Sequence, residues 1–218
     1  NQNSRFLMDL EGEMESDGNI AYKVTLVARE DASVEDVALR THLASGVGRY
    51  MMGLGEKGGY CPNDLRWKWD VEKNQDAVWV GDVNAGIEIR LYDNKYERPL
   101  NTNFYHQKPL HMPVSWCNAG NGGIDIHNAA DGTRINAYSG KRSVKKGDRL
   151  YYYFNLALTP FRPIDTDKQW RERYHHNYEF LDGIQKRGAN VINIHHANAI
   201  NPFINYPFLR TKEMKAYI

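Results

Sequence analysis

Residues 195–207 string together the side chains best suited to chemistry in this 218-residue chain: His195-His196-Ala197-Asn198-Ala199-Ile200-Asn201-Pro202-Phe203-Ile204-Asn205-Tyr206-Pro207. His195, His196, Asn198, Asn201, Asn205 and Tyr206 donate and accept hydrogen bonds without adding net charge, the mixture that sugar hydroxyls demand. The competing reading is that the histidines and asparagines only satisfy loop backbone groups. Adjacent His195 and His196 also raise the question of a metal. On a strand their side chains point to opposite faces, and no Cys, Asp or Glu stands nearby at ligand spacing, so neither a metal nor another cofactor is expected.

Aromatic rings form a second group. The chain holds 14 Tyr and 5 Trp against 7 Phe, a bias toward rings with a polar edge that suits both sugar faces and ordinary sheet packing. Trp67 and Trp69, flanking Lys68, are predicted to be exposed and able to stack on sugars, with Tyr60 beside them, whereas Trp79 sits on a strand pattern and is assigned to the core. Arg66-Trp67-Lys68-Trp69 also resembles a nucleic-acid stacking patch. The overall balance of 28 basic and 27 acidic residues argues against that partner. Glycoside hydrolysis generally uses two carboxyl groups; Glu56 and Asp64 sit in the sandwich's long Gly-rich loop, of the kind that reaches over an adjacent barrel and shapes its substrate subsites, with a structural role as the default for both. The loop after Ile194 supplies no carboxylate. The glycine-rich stretch 116–123 lacks the Lys-Ser/Thr ending of a phosphate loop.

The elements that would position these groups follow from hydropathy patterning. Up to about Pro160 short apolar/polar alternations are separated by turn residues, the pattern of an antiparallel β-sandwich. Strands are predicted at 20–29, 37–43, 77–81, 85–92, 114–116, 123–127, 134–138 and 150–158. Val78, Val80, Ile87, Ile89 and Leu91 are predicted core residues of a hairpin. Residues 46–69, dense in Gly, read as a long structured loop. At Thr159-Pro160-Phe161-Arg162-Pro163 the pattern turns helical, giving a sandwich over 1–163 and a β/α segment over 164–218. There a helix capped by Asp167 is predicted to run to Lys186 and end at Gly188, carrying Trp170, Tyr174 and His175. Asn190 to Ile194 follows as a strand of parallel-sheet type. Another helix begins at Lys212.

A (β/α)8 barrel takes roughly 250 residues, so the second segment reads as the opening of a truncated barrel whose remaining strands are missing. In such barrels the residues after a strand's carboxyl end face the active site, which is where His195 to Tyr206 fall. No apolar run reaches the length of about 18 residues that suggests a membrane span. The start, Asn1-Gln2-Asn3-Ser4-Arg5, lacks an initiator Met and a signal core, suiting a mature secreted or a trimmed chain. Cys61 and Cys117 are expected to be free thiols.

The segments Tyr50-Met51-Met52-Gly53-Leu54-Gly55-Glu56-Lys57-Gly58-Gly59, Trp79-Val80-Gly81-Asp82-Val83-Asn84-Ala85-Gly86, Leu158-Thr159-Pro160-Phe161 and Gly188-Ala189-Asn190-Val191-Ile192-Asn193-Ile194-His195-His196 together resemble bacterial proteins related to glycoside hydrolase family 123. The resemblance runs over nearly the whole chain. It implies a sandwich packed on a (β/α)8 barrel in a secreted or periplasmic, glycan-degrading enzyme. It also implies N-acetylgalactosamine release by an adjacent Asp-Glu pair aided by the substrate's acetamido group. No such pair occurs at a barrel strand here, so the catalytic residues are expected beyond Ile218 and the chain alone is expected to be inactive. Two other readings stand beside the hydrolase: a non-catalytic carbohydrate-binding module using Trp67, Trp69 and Tyr60, and a purely structural shoulder.

Overall fold

Alternation with a period of two puts every second residue of a strand on the same face, and in this chain those residues are repeatedly Val, Ile or Leu. The computed structural model describes residues 5–70, 76–95, 112–162, 165–175 and 181–192, with Lys212 and Lys215. It divides into two compact units, Asn1–Arg162 and Pro163–Ile218.

The first unit contains β1 (Phe6–Met14), β2 (Asn19–Ala28), β3 (Ala32–Val34), β4 (Ala38–Ala44), β5 (Tyr50–Gly53), β6 (Glu56–Tyr60), β7 (Asp64–Lys68), β8 (Ala77–Asp82) and β9 (Ala85–Tyr92). After a helical turn α1 (Val114–Cys117) come β10 (Gly123–Ala129), β11 (Gly132–Tyr138), β12 (Arg142–Val144) and β13 (Arg149–Thr159). A seven-stranded sheet runs β1-β2-β13-β9-β8-β5-β6, and a four-stranded sheet runs β4-β11-β10-β7. Every pairing within them is antiparallel.

Their inner faces share one core. Val78, Val80, Ile87, Ile89, Leu91 and Tyr152 from the larger sheet meet Trp67, Ile124, Ile126, Ile135 and Ala137 from the smaller. Register makes the layers continuous: Val78 lies opposite Ile89 and Val80 opposite Ile87, while Ile124 lies between Trp67 and Ala137. The β8–β9 hairpin and its five predicted core residues are as the alternation indicated. At its outer face Gly81 pairs with Gly86. A Cβ on Gly81 would sit 2.6 Å from Cζ2 of Trp79, and one on Gly86 2.8 Å. The two glycines therefore form a flat floor under the indole, whose Nε1–H donates to Thr159 Oγ1 at 2.7 Å. Trp79 is half-buried on the outer face and does not belong to the core as predicted.

The predicted loop over 46–69 is instead three strands, β5, β6 and β7. Its glycines conceal a hairpin. Gly53, Leu54 and Gly55 all take positive φ, at 112°, 55° and 75°, and a Cβ on Gly53 would collide with the Ala77 carbonyl. This left-handed turn folds Leu54 back into the core at 0% exposure, its N–H donating to Ala77 O at 3.1 Å. The conformation costs a non-Gly residue roughly 1–2 kcal/mol, which burial of the leucine side chain, about 1.5–3 kcal/mol, offsets.

Residues 114–116 are the helical turn α1 and not a strand. Asp93 Oδ2 accepts the Val114 N–H at 2.7 Å. Asn118, at φ 45°, stops the turn and donates from Nδ2 to the carbonyls of Ser139 and Lys141. These long-range partners leave no trace in local periodicity.

The second unit contains α2 (Thr166–Arg171), β14 (Tyr174–His175), α3 (Leu181–Lys186) and β15 (Val191–Ile192). The single helix predicted to Lys186 is thus broken, and His175 lies on a strand. Asp165, not Asp167, caps α2 by accepting the Lys168 N–H at 2.8 Å. The break follows from Asn190, whose Oδ1 accepts the Arg173 N–H at 2.6 Å while its own N–H donates back to Arg173 O. Trp170, expected on the apolar face of one long helix, is 89% exposed. β14 and β15 pair in parallel, so the strand at Val191 has a neighbour from this chain on one edge, as a segment of a β/α barrel requires. Gly188 turns the chain at φ 75° after α3.

Truncating Leu54 tests the plugged turn. Leu54→Ala is expected to lower the unfolding free energy by about 2–5 kcal/mol in urea titrations; a loss under about 0.5 kcal/mol would show that the turn does not anchor the core.

Candidate functional site

The sugar-type side chains His195, His196, Asn198, Asn201, Asn205 and Tyr206 lie outside the described residues. Trp67 and Trp69 are placed, and they correct the expectation of an exposed platform. On β7 the alternation sends Leu65 and Trp67 to the core and Arg66 and Lys68 outward. Trp67 is only 4% exposed and meets Trp69 edge to face at 4.9 Å between centroids, with Trp69 partly buried against the same core. Trp116 is fully buried, its Nε1–H donating to Tyr153 O at 2.9 Å. Trp67 and Trp116 offer no open ring face for stacking on a sugar, and Trp69 is partly buried.

A cleft of about 500 Å³ does open beside the pair. Trp67 and Trp69 contribute to its wall, and Glu56, Arg66, Lys68 and Asp70 supply its polar groups. Glu56 therefore borders a concavity. Asp64 does not line it: its Oδ1 lies 2.7 Å from His127 Nδ1 on the outer face of the four-stranded sheet. Lys68 is held by two contacts, donating from Nζ to Asn121 O at 2.9 Å and lying 4.7 Å from the Tyr138 ring centroid.

That outer face is polar throughout. Cross-strand rows read Arg66, Asp125, Asn136, Arg40 and Asp64, His127, Arg134, His42. Among the described residues, Asp125 Oδ1 and Asn136 Oδ1 are enclosed without a hydrogen-bond donor. The described residues include no group of His, Cys, Asp and Glu able to hold a metal ion. Cys61 and Cys117 are free, and burial pushes the Cys61 thiol above its ordinary pKa.

On the sandwich, an open ring lies on the outer face of the seven-stranded sheet. Tyr60 at the end of β6 is 74% exposed. It lies opposite Tyr50 in the ladder and stacks on it, centroids 5.3 Å apart and planes at 26°. The Arg49 guanidinium sits 5.2 Å from the Tyr50 centroid. Tyr50, a hydrogen bond with Tyr60 and the carboxylate of Asp82 together hold the Arg49 pKa above its ordinary value. Tyr60 was legible in the sequence as an aromatic in a Gly-rich segment. Tyr50 was not, because its exposure follows from the pairing of β5 with β6, which the Gly run obscured.

Trp67 separates a core role from a ligand role. Trp67→Ala is expected to cost about 3–5 kcal/mol of stability by chemical denaturation; a fully stable variant would return this residue to the list of surface rings.

Residues 1–160 match the family model described as glycoside hydrolase 123, third domain. Residues 165–218 match the one described as glycoside hydrolase 123, TIM-barrel domain. No curated protein matches the chain. The parallel β14–β15 pair accords with the barrel description, and the antiparallel sandwich occupies the residues of the other match. With one family's domains matched from residue 1 to 160 and again from 165 to 218, the chain belongs to glycoside hydrolase family 123.

Proposed function

We propose that this chain contributes part of a hydrolase that cleaves glycans containing N-acetylhexosamine, in a secreted or periplasmic setting. The membership above makes it part of a glycoside hydrolase with carbohydrate as the substrate class. The observation that supports the hydrolase reading is the parallel pair of β14 and β15 with α3 between them, a strand-helix-strand unit inside the barrel match; the sugar and the setting follow from the family resemblance alone. Barrel enzymes place their working residues just past the carboxyl ends of the strands. In sequence, the residues that follow Ile192 are those of 193–206, where His195, His196, Asn198, Asn201, Asn205 and Tyr206 supply uncharged donors and acceptors.

Glycoside hydrolysis needs a proton donor for the departing oxygen and a second group that stabilises or attacks the anomeric carbon, generally carboxyl groups at defined separation. We assign neither role to a described residue. In this reading the sugar-contacting residues bind and orient the ring, and the sandwich is their non-catalytic companion. A second reading, glycan binding without catalysis, is favoured by the exposed Tyr60 ring stacked on Tyr50.

Release of nitrophenol from nitrophenyl N-acetyl-β-galactosaminide tests the hydrolase. The 218-residue chain by itself is expected to leave the substrate intact, and a long form that carries these residues together with a complete (β/α)8 barrel is expected to turn it over. Asn198→Ala and His195→Ala in the long form should each raise KM by about tenfold. Turnover by the 218-residue chain, or none on any glycoside by the long form, would contradict the reading.

A further inference from the structure

Exposed hydrophobic residues scattered singly need no explanation, but contiguous ones with a polar rim mark a binding surface. At the β6 edge of the seven-stranded sheet four aromatic or apolar side chains share the outer face, two of them exposed and two half-buried. Tyr60 lies opposite Tyr50, and Met52, two residues on from Tyr50, lies opposite Trp79. Tyr60 is 74% and Met52 54% exposed. Trp79 lies flat over the Gly81–Gly86 pair, tied down by Thr159.

Gly58 supplies an independent observation. It lies in β6 beside Met52, and it does not take positive φ. A Cβ added there would meet Met52 Cβ at 3.5 Å, ordinary van der Waals contact. Neither backbone conformation nor crowding calls for glycine at this position, in contrast to Gly53 or Gly81. Its effect is to leave the strip between Tyr60 and Met52 bare.

We infer that Tyr60, Tyr50, Met52 and Trp79, with the bare strip at Gly58, form a stacking shelf for a pyranose ring of a neutral glycan, whose hydroxyls are met by Arg49. The inference rests on the carbohydrate reading above and adds a site to it on the sandwich. A pyranose presents an apolar face of C–H groups and a rim of hydroxyls. The Trp79 indole, laid flat on the Gly81–Gly86 pair, and the exposed ring of Tyr60 match the face, and the rim needs a few well-placed polar groups that fix orientation. Arg49 already lies against the Tyr50 ring, and the Asp82 carboxylate offsets its charge electrostatically, so Arg49 does not by itself select an acidic sugar. Because the tyrosines are ordered against each other and against Arg49, little side-chain freedom remains to be lost on binding.

The test uses the 218-residue chain on an array of neutral glycans ending in N-acetylgalactosamine, N-acetylglucosamine, galactose or glucose. The wild-type chain is expected to bind at least one of them. Tyr60→Ala should weaken that binding about tenfold. Gly58→Val, which places a β-branched side chain on the bare strip, should weaken it at least as much while leaving the melting temperature unchanged. Binding that survives both substitutions overturns the shelf while leaving glycan recognition intact. A silent array also overturns it, and the hydrolase is then judged separately by turnover of the long form. Self-association of the wild-type chain in sedimentation, lost in Tyr60→Ala, would show that a second copy and not a glycan covers this face.

Discussion

The facing apolar layers of the two sheets constrain every other feature of the sandwich. Because the strand period is two, the residues that enter the core decide which residues cannot. On β7 the core takes Leu65 and Trp67, so Arg66 and Lys68 must face out. On β8 it takes Val78 and Val80, so Trp79 and Gly81 lie on the far side. On β5 it takes Met51, which leaves Tyr50 and Met52 outward. A one-residue slip in any of these ladders would exchange the two sets and bury the charged row while exposing the core. Register, rather than composition, thus separates the rings that hold the fold together from those available to a ligand.

Two local devices hold the β5–β6–β8 edge in that register. The left-handed turn at Gly53-Leu54-Gly55 drives a leucine into the core from a position where a polar residue would be ordinary. The Gly81–Gly86 pair lets the Trp79 indole lie against its own sheet and reach Thr159 on β13, two strands away. Both devices fall within the motifs that first suggested the family. Their glycines have a stereochemical reason at 53 and 81 and none at 58, a contrast visible only with coordinates.

Much of the sandwich was readable in advance where alternation was strict. The β8–β9 hairpin, β10, β11 and β13 were each anticipated within a few residues, because one face of each is packed on a common core. Other features were hidden for physical reasons. The strands between residues 46 and 69 were obscured by glycines, which signal loops but here serve a tight turn and an edge strand. Trp67 was expected outside because its neighbours Arg66 and Lys68 are charged, although charged neighbours are what alternation requires of a buried residue. The helix predicted from 167 to 186 failed because Asn190, distant in sequence, captures the backbone of Arg173. Of the site, the exposed Tyr60 was legible, whereas Tyr50, Met52 and Gly58 became candidates only through cross-strand pairing.

Membership of a glycoside hydrolase family gives the polar cleft and the tyrosine shelf a common context, since both present groups that suit hydroxyl-rich ligands. The assignment of faces beneath them is the claim on which the rest turns. Hydroxyl-radical footprinting read by mass spectrometry measures it residue by residue. Tyr60, Met52 and Trp170 should label rapidly, and Trp67, Trp116 and Tyr152 should stay protected until the protein unfolds. Labelling of Trp67 in the native state at a rate matching Tyr60 would contradict the account.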